Sequence, residues 1–211
     1  MKPLLVIFFV YFFLILTSYI FPAQKKHKKL SANSVLYGPD DNLTNQRLRQ
    51  KAFLCHQFVL QSGLSAHYAF LLDMRLPSGK KRFFVYDFHK NRLACSGLVA
   101  HGSCNSQFIE KPQFSDTPES GCTALGRYEV AYEYQGKFGK AFKLVGLDSS
   151  NENAFKRNIV LHAYDAVPEN ETYPKPIANS LGCPMVSHRF FDKLSQILKT
   201  EKKPVLLWIY Q

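Results

Sequence analysis

A short turn segment, Ser-Leu-Gly-Cys at residues 180–183, has the composition of a cysteine nucleophile site. A small residue and a glycine just before Cys183 let the backbone turn sharply, so the sulfur is accessible and nearby N–H groups can converge on an oxyanion. His162 ends the apolar run Ile159 to Leu161, and a histidine at the end of a buried strand is rigidly aimed at a thiol proton. The residue types predict a nucleophile with its base, although the spacing alone favours an inert thiol beside an unrelated core histidine.

The elements that must position these residues are mostly strands. Short connections between the predicted strands at 68–72, 83–88 and 93–100 favour antiparallel pairing. Apolar, β-branched and aromatic runs bounded by turn residues predict strands at 68–72, 83–88, 93–100, 128–134, 141–145 and 205–210, besides the strand that ends at His162.

Two helices are predicted beside these strands. The first runs from Thr44 to about Leu60, with Thr44 or Asn45 as N-cap. The second follows Ser187 as a possible cap and carries an apolar face. Cys183 then lies just before a helix N-terminus, where the helix dipole favours a thiolate.

Two long irregular stretches, His101 to Gly126 and Tyr164 to Asn179, separate these elements. Structureless loops of such length in a compact domain are usually functional. We therefore expect the first loop to line the site. Substrate contacts are predicted at four residues, namely His101, Gly102, Ser115 and Tyr164.

Length and charge limit the classes of function. The chain has 211 residues, of which 46% are apolar, enough for one sizeable core. Without residues 1–30, which hold five lysines and no acids, 22 basic and 16 acidic residues remain. A moderately basic body suits an anionic target such as the carboxylates of a cell wall. Nucleic acid is disfavoured because no basic stripe interleaved with aromatics and no binding motif occurs.

The N-terminus is predicted to be an export or anchor segment. Residues 1–23 form a signal peptide or a membrane anchor, since the apolar run from Leu4 to Phe21 is intermediate in length between the two. Residues 24–43 read as a basic and polar linker, and residues 44–211 as one catalytic domain. The lysine cluster at 25–29 conflicts with export under the positive-inside rule.

Five cysteines, an odd number without a C-x-x-C pair, lack the spacing of a zinc site. A catalytic thiol must be the one left unpaired. In an oxidising compartment, Cys104 and Cys122 can form a disulfide because both lie in the same loop-rich stretch, and burial as free thiols is expected for Cys55 and Cys95. The sequence leaves this connectivity open.

From about residue 50 onward, several short motifs occur in the same order as in a known family of proteins. They resemble the murein L,D-transpeptidase catalytic domain family, a branch of the YkuD-type cysteine transpeptidases of bacterial cell walls. The matching stretches are RFFVYDF (82–88), VAHGS (99–103), FSD (114–116), LGRY (125–128), GKFGKAFKL (136–144), RNIVLHA (157–163), SLGCP (180–184) and the closing strand. The resemblance implies a mainly β (α+β) fold, an L,D-transpeptidase-like mixed β-sandwich with an N-terminal helix and a helix after the cysteine.

The resemblance also implies roles for individual residues. Cys183 would be acylated, and His162 would accept its proton while the carbonyl of Ala163 orients the imidazole. The N–H groups of Gly182 and Cys183 would form the oxyanion hole, and Ser180 would hold the turn by a local hydrogen bond. Two departures weaken the match: Leu181 stands where many relatives carry histidine or tryptophan, and Thr123-Ala124 replaces a serine-rich pattern.

The implied reaction is acyl transfer from a tetrapeptide stem through a Cys183 thioester, with release of the terminal D-alanine. The acceptor is an amine, or water in an L,D-carboxypeptidase, and no metal or organic cofactor is needed. Peptidoglycan stem peptides are the expected partners, and penems or carbapenems are possible inhibitors. The expected location is the cell envelope, periplasmic or anchored in the inner membrane through the N-terminal segment. The alternatives are a degenerate peptidoglycan-binding protein and a cysteine peptidase of unrelated fold.

Overall fold

The computed structural model describes residues 39–137 and 139–211. The predicted signal or anchor segment, residues 1–23, and most of the predicted linker lie outside the described residues. In chain order, the elements are α1 (Pro39–Ser62), β1 (Tyr68–Asp73), β2 (Phe83–Asp87), β3 (Arg92–Gly97), β4 (Gly126–Gly136), β5 (Gly139–Gly146), β6 (Val160–Ala163), β7 (Met185–Val186), α2 (His188–Thr200) and β8 (Val205–Tyr210).

All strands belong to one eight-stranded sheet with the order β3-β2-β1-β8-β4-β5-β6-β7. The pairs β1–β8 and β6–β7 are parallel and the other neighbours are antiparallel, including the predicted antiparallel pairing of β1, β2 and β3. The sheet is therefore mixed. The predicted fold class, mainly β with a mixed sheet and helices at both predicted places, is confirmed.

The sheet curls around α2. Phe83 of β2 packs edge-on against Phe190, and Phe142 of β5 packs against the adjacent Phe191. In a flat sheet, β2 and β5 would lie about 19 Å apart, given the usual spacing of about 4.8 Å between strands. Contacts from both strands to neighbouring residues of one helix require strong curvature, so one continuous sheet supplies both layers around the main core.

Helix α1 covers the outer face of β1, β2 and β8. The buried side chains Leu48, Ala52, Cys55 and Val59 fall at the predicted helical spacing and pack on the sheet in a second apolar cluster. The helix begins at Pro39, earlier than the predicted start at Thr44. A proline is well tolerated at the first helical position because its missing N–H would have no intrahelical partner there. The end of the predicted linker is thus helical.

No helix within residues 39–137 and 139–211 is long and apolar enough to cross a membrane. The predicted anchor is not covered by this finding, because residues 1–23 lie outside the described part of the chain.

Candidate active site

The register of β5 and β6 gathers the candidate residues on one face of the sheet. Ala141 pairs with His162 and Lys143 pairs with Val160. Paired residues, and residues two apart on a strand, share a face. The intervening side chains belong to the main core, namely Phe142, Leu144, Leu161 and Ala163. His162 and Lys143 therefore point away from that core, and Lys143 contacts the segment between β5 and β6.

Cys183 is held against the backbone at the start of β6. Its Sγ accepts a hydrogen bond from the Val160 N–H at 3.5 Å and lies 3.8 Å from the Asn158 carbonyl oxygen, to which the thiol can donate. Val160 lies two residues before His162 on the same strand, so the thiol is held at the start of the strand that carries the imidazole. The two principal sequence candidates therefore belong to neighbouring parts of the fold, one on β6 and the other against its first residue.

The His162 ring is fixed by the backbone of its own strand. Its Nδ1 lies 2.9 Å from the Ala163 carbonyl oxygen, and the side chain is buried. A carbonyl can only accept, so Nδ1 carries the hydrogen and Nε2 is the unprotonated nitrogen of the neutral ring. The contact implied by the family resemblance is present, and Nε2 is the atom able to receive a proton.

The turn before Cys183 uses one of the two amides predicted to form the oxyanion hole. The Gly182 N–H donates to Ser180 Oγ at 3.1 Å, so Ser180 makes the local hydrogen bond expected of it. The predicted Gly182 donor is therefore occupied within the turn and does not face a substrate. Within the described chain, the Cys183 N–H has no hydrogen-bond partner, and it remains the oxyanion donor that the geometry favours.

Gly182 is required by both backbone angle and space. Its φ of +110° is disfavoured for residues with a side chain. A Cβ at this position would also lie 2.8 Å from the Cys122 carbonyl oxygen. The turn is thus packed directly against the end of the long loop.

His101, predicted to contact substrate, is a buried side chain beside the turn of Cys183. The side chain is fully buried: Nδ1 accepts from Arg82 Nη2 at 2.8 Å, and Nε2 lies 3.2 Å from the Ile109 carbonyl oxygen. Burial, aided by the charge of Arg82, lowers the pKa of His101 to about 4. Its carbonyl accepts the Ser180 N–H at 2.8 Å, so this histidine acts by holding the turn in place.

The other three predicted substrate contacts have different surroundings. Gly102 is buried, its N–H donates to Thr123 Oγ1 at 2.9 Å, and it approaches the Gly121 carbonyl closely. Ser115 Oγ accepts the Thr117 N–H at 3.1 Å within the loop. Tyr164 directly follows β6 and keeps 37% of its surface exposed. Of the four, only Tyr164 combines an exposed side chain with a place next to β6, the strand of His162.

Sequence reasoning assigned no role to Arg157, which joins the long loop to the start of β6. Its buried guanidinium donates to the Ser115 carbonyl at 2.9 Å, to Asp116 at 3.2 Å and to Ser120 Oγ at 3.2 Å, and it also donates to the Cys122 carbonyl. Arg157 lies in one of the matched motifs, but nothing in that motif indicated its partners.

Thr123 was noted only as a departure from the family pattern. It is fully buried, and its hydroxyl accepts from the Gly102 N–H at 2.9 Å and lies 3.2 Å from the Gly182 carbonyl oxygen, to which it donates. One hydroxyl therefore connects the long loop to the turn of Cys183.

The electrostatics of the thiol differ from those predicted. Burial raises the pKa of Cys183, while the Val160 N–H and the charges of Lys143 and Arg157 lower it. The helix α2 begins only at His188, after β7, so its N-terminus is not at the cysteine. That terminus is instead capped by Glu169, which accepts from the Arg189 N–H at 3.0 Å. The prediction of thiolate stabilisation by the helix dipole is therefore wrong.

The remaining cysteines follow the sequence interpretation. Cys104 and Cys122 form a disulfide that closes part of the long loop, and Cys55 and Cys95 are free thiols, buried and half-buried respectively. In the part of the chain that the structure describes, no three His, Cys, Asp or Glu side chains cluster as ligands for a metal ion.

Comparison with known proteins gives one family match and several similar solved structures. The sequence model of the L,D-transpeptidase catalytic domain matches residues 40–210. No curated protein matches the chain. Among solved structures, the helical cell shape determining protein Pgp2 of Campylobacter jejuni is 15% identical with a TM-score of 0.41, over 69% of this chain and 48% of Pgp2. An L,D-transpeptidase of Xylanimonas cellulosilytica is 13% identical with a TM-score of 0.39, over 73% of this chain and 68% of its own.

The match to the family model covers most of the sequence, so the class of protein is settled by it. The chain belongs to the L,D-transpeptidase catalytic domain family, whose members act on the stem peptides of peptidoglycan. The chain spans about half the length of Pgp2.

Proposed function

We propose that the protein is a cell-wall transpeptidase that forms a thioester on Cys183 with a tetrapeptide stem. The observation that carries this proposal is the placement of the Cys183 thiol on the Val160 N–H, two residues before a histidine whose Nδ1 is fixed by the Ala163 carbonyl. That arrangement leaves Nε2 of His162 able to accept the proton of the thiol held at the start of the same strand. A nucleophile, an adjacent base and a group that orients the base are the parts that acyl transfer requires.

The ground state is a neutral thiol beside a neutral imidazole. Burial raises the pKa of Cys183 and lowers the pKa of His162, and both shifts disfavour a thiolate–imidazolium pair. His162 therefore removes the thiol proton as the sulfur attacks, as a general base.

The first half of the reaction begins with attack of Sγ on the carbonyl carbon of the diamino acid at stem position three. The Cys183 N–H donates to the oxyanion of the tetrahedral intermediate. As this intermediate collapses, the C–N bond breaks and the imidazolium of His162 protonates the departing amine of D-alanine. The products are the Cys183 thioester and free D-alanine.

In the second half, an amine attacks the thioester and transfers a proton to His162. The thiolate leaves and takes that proton back, which restores the neutral pair. An amine from another stem gives a cross-link, a free D-amino acid gives exchange, and water gives the carboxypeptidase reaction.

We further propose that the protein works in the cell envelope, periplasmic or anchored to the inner membrane, because cross-linked wall lies outside that membrane. A periplasm-dependent reporter enzyme fused after Gln211 tests this proposal. A fusion active only in the cytoplasm would refute it and would agree with the lysine cluster at residues 25–29.

Intact-mass measurement with a carbapenem tests the chemistry. An activated thiol beside an oxyanion donor should open the strained ring once, so wild type should gain one adduct and Cys183→Ala none. His162→Ala should acylate at least about a hundredfold more slowly, as expected for loss of a general base. Cys95→Ala removes the other thiol that is not fully buried, and this matched control should acylate like wild type.

The alternatives give different results. If wild type takes no adduct and leaves tetrapeptide muropeptides unchanged, the transpeptidase proposal fails and a degenerate peptidoglycan-binding protein becomes the better account. An adduct that survives in Cys183→Ala would mean that the nucleophile is misassigned. Processing of muropeptides without acylation would leave the chemistry intact and refute only the carbapenem prediction.

A further inference from the structure

Lys143 is a buried cation beside the nucleophile to which the reaction above gives no role. The residue lies on β5 with only 6% of its surface exposed. Its Nζ donates to Asn158 Oδ1 at 2.9 Å and lies 4.5 Å from the centre of the Phe155 ring. Within residues 39–137 and 139–211, no carboxylate lies within ion-pair distance of this ammonium.

A buried ammonium without a carboxylate is costly, so its retention requires a reason. Arg157, the other cation near Cys183, is paired with Asp116 and has its remaining donors on loop oxygens. Lys143 differs because an ammonium has three N–H groups, and among residues 39–137 and 139–211 one hydrogen-bond acceptor, Asn158 Oδ1, meets them. The site thus contains one cation, Arg157, whose donors are used in the fold, and another, Lys143, whose remaining N–H groups can bind a further acceptor.

Lys143 is also linked to the nucleophile through Asn158. Asn158 accepts from Nζ through its side chain, and its backbone carbonyl lies 3.8 Å from Cys183 Sγ. The register adds that Lys143 and His162 share one face of the sheet, and the charge of Lys143 acts on the Cys183 thiol. An anionic group near Lys143 would therefore lie beside the bond that Cys183 attacks. The half-exposed Phe155 ring flanks this position.

We propose that the Lys143 ammonium binds the terminal carboxylate of the donor stem, the carboxylate of the D-alanine that is released. This proposal rests on the proposed transpeptidase function and assigns the carboxylate-binding residue of the same site. In a D-alanine leaving group, one carbon separates the carboxylate from the scissile nitrogen. A cation next to the nucleophile thus selects stems that end one residue after the scissile bond and neutralises their charge on binding.

Two synthetic donors test the assignment: a tetrapeptide stem that ends in D-alanine, and the same stem with the terminal carboxylate converted to a carboxamide. Release of D-alanine or D-alaninamide is followed for wild type, Lys143→Met, Lys143→Arg and Lys140→Met. Lys140 is an exposed lysine of the same strand and provides the matched control. Alkylation of Cys183 by neutral iodoacetamide, followed at its own peptide, reports on the thiol independently of substrate charge.

Wild type should prefer the carboxylate donor by about thirtyfold in kcat/KM, the size expected for a hydrogen bond to a charged group. Lys143→Met should reduce that ratio to near one, because the advantage of the carboxylate donor over the carboxamide donor is lost. Lys143→Arg should keep part of the ratio, and Lys140→Met should keep all of it. Alkylation of Cys183 should slow in Lys143→Met because the Lys143 charge lowers the pKa of the thiol, but this effect is common to both donors and cancels in their ratio. The comparison of the two donors with wild type is itself a test, so the proposal can be refuted even if a variant folds poorly.

Equal rates for the two donors in wild type would overturn the proposal. So would a Lys143→Met variant that slows both donors equally or alters the alkylation profile without changing the ratio, since Lys143 would then act on the thiol alone. If wild type releases nothing from either donor and takes no carbapenem adduct, the proposed function itself has failed. Activity without discrimination refutes the role of Lys143 alone.

Discussion

The two halves of the sheet are closed in different ways. Over β1, β2 and β8, helix α1 covers the sheet with apolar side chains in a continuous cluster. Beside β5, β6 and β7, loops add a small apolar cluster around Met185, and they are joined by hydrogen bonds, several of them from the Arg157 guanidinium. An apolar contact tolerates small shifts, whereas a hydrogen bond fixes distance and direction. The candidate site lies in the half of the sheet where loops are joined by hydrogen bonds.

The free thiols of the two halves show what this difference means chemically. Cys55 is completely buried under α1, and burial raises its pKa to about 12. Burial also raises the pKa of Cys183, but this sulfur has the Val160 N–H and the Asn158 carbonyl as polar contacts and is held at the start of the strand that carries His162. Burial alone makes a thiol inert, and the polar surroundings distinguish the candidate nucleophile from a packing residue.

The largest expected effect comes from removing Arg157, whose guanidinium joins several loop residues beside β5, β6 and β7. Arg157→Gln should lower the free energy of unfolding by about 3 kcal/mol, because it leaves Asp116 and several loop carbonyls without their buried donor. The matched change in the other half, Arg127→Gln, breaks a more exposed pair with Asp148 and should cost about 1 kcal/mol. Urea unfolding of both variants measures the difference. Equal losses would show that the two halves are not stabilised differently.

A smaller effect is expected from one hydroxyl. Thr123→Val keeps the shape of the side chain but leaves the Gly102 N–H and the Gly182 carbonyl unsatisfied, so the turn of Cys183 loses its tie to the long loop. The acylation rate should fall about tenfold, the equivalent of one hydrogen bond, while KM for the donor stem changes little.

Thr123→Ser restores the hydroxyl and should restore most of the rate. Thr117→Val, at an exposed position in the same loop, serves as the control and should behave like wild type. A Thr123→Val variant with undiminished acylation would show that the turn does not depend on this contact.

The smallest effect concerns pH. Burial lowers the pKa of His162 from its ordinary value of 6.5, opposed by the hydrogen bond to Ala163. A general base is lost when it is protonated, so kcat/KM should fall as pH decreases through this lowered pKa, with a midpoint below 6.5. His101, whose pKa is lowered further, does not face the substrate, and His101→Gln should leave that midpoint unchanged in whatever fraction folds. A wild-type midpoint at or above 6.5 would contradict the assignment.

Local patterns in the sequence predicted the elements well. The alternation and apolar runs of β1, β2, β4, β5 and β8 agree with the structure, because side-chain period and turn residues act within a few positions. The two-residue strand β7 was not predicted, since so short a segment has no period to detect. The start of α1 was placed too late because Pro39 was interpreted only as a linker residue.

The sequence by itself thus determined the strand-rich fold and the family, and it predicted Cys183 with His162 as the chemical pair, because residue types and short-range order carry that information. Only the tertiary structure decided that His101 is a buried support, that Gly182 uses its N–H within the turn, and that Arg157, Thr123 and Lys143 surround the nucleophile. These contacts join residues that are far apart in the chain, and their partners depend on how the sheet curls and on which residues the register of β5 and β6 places on one face.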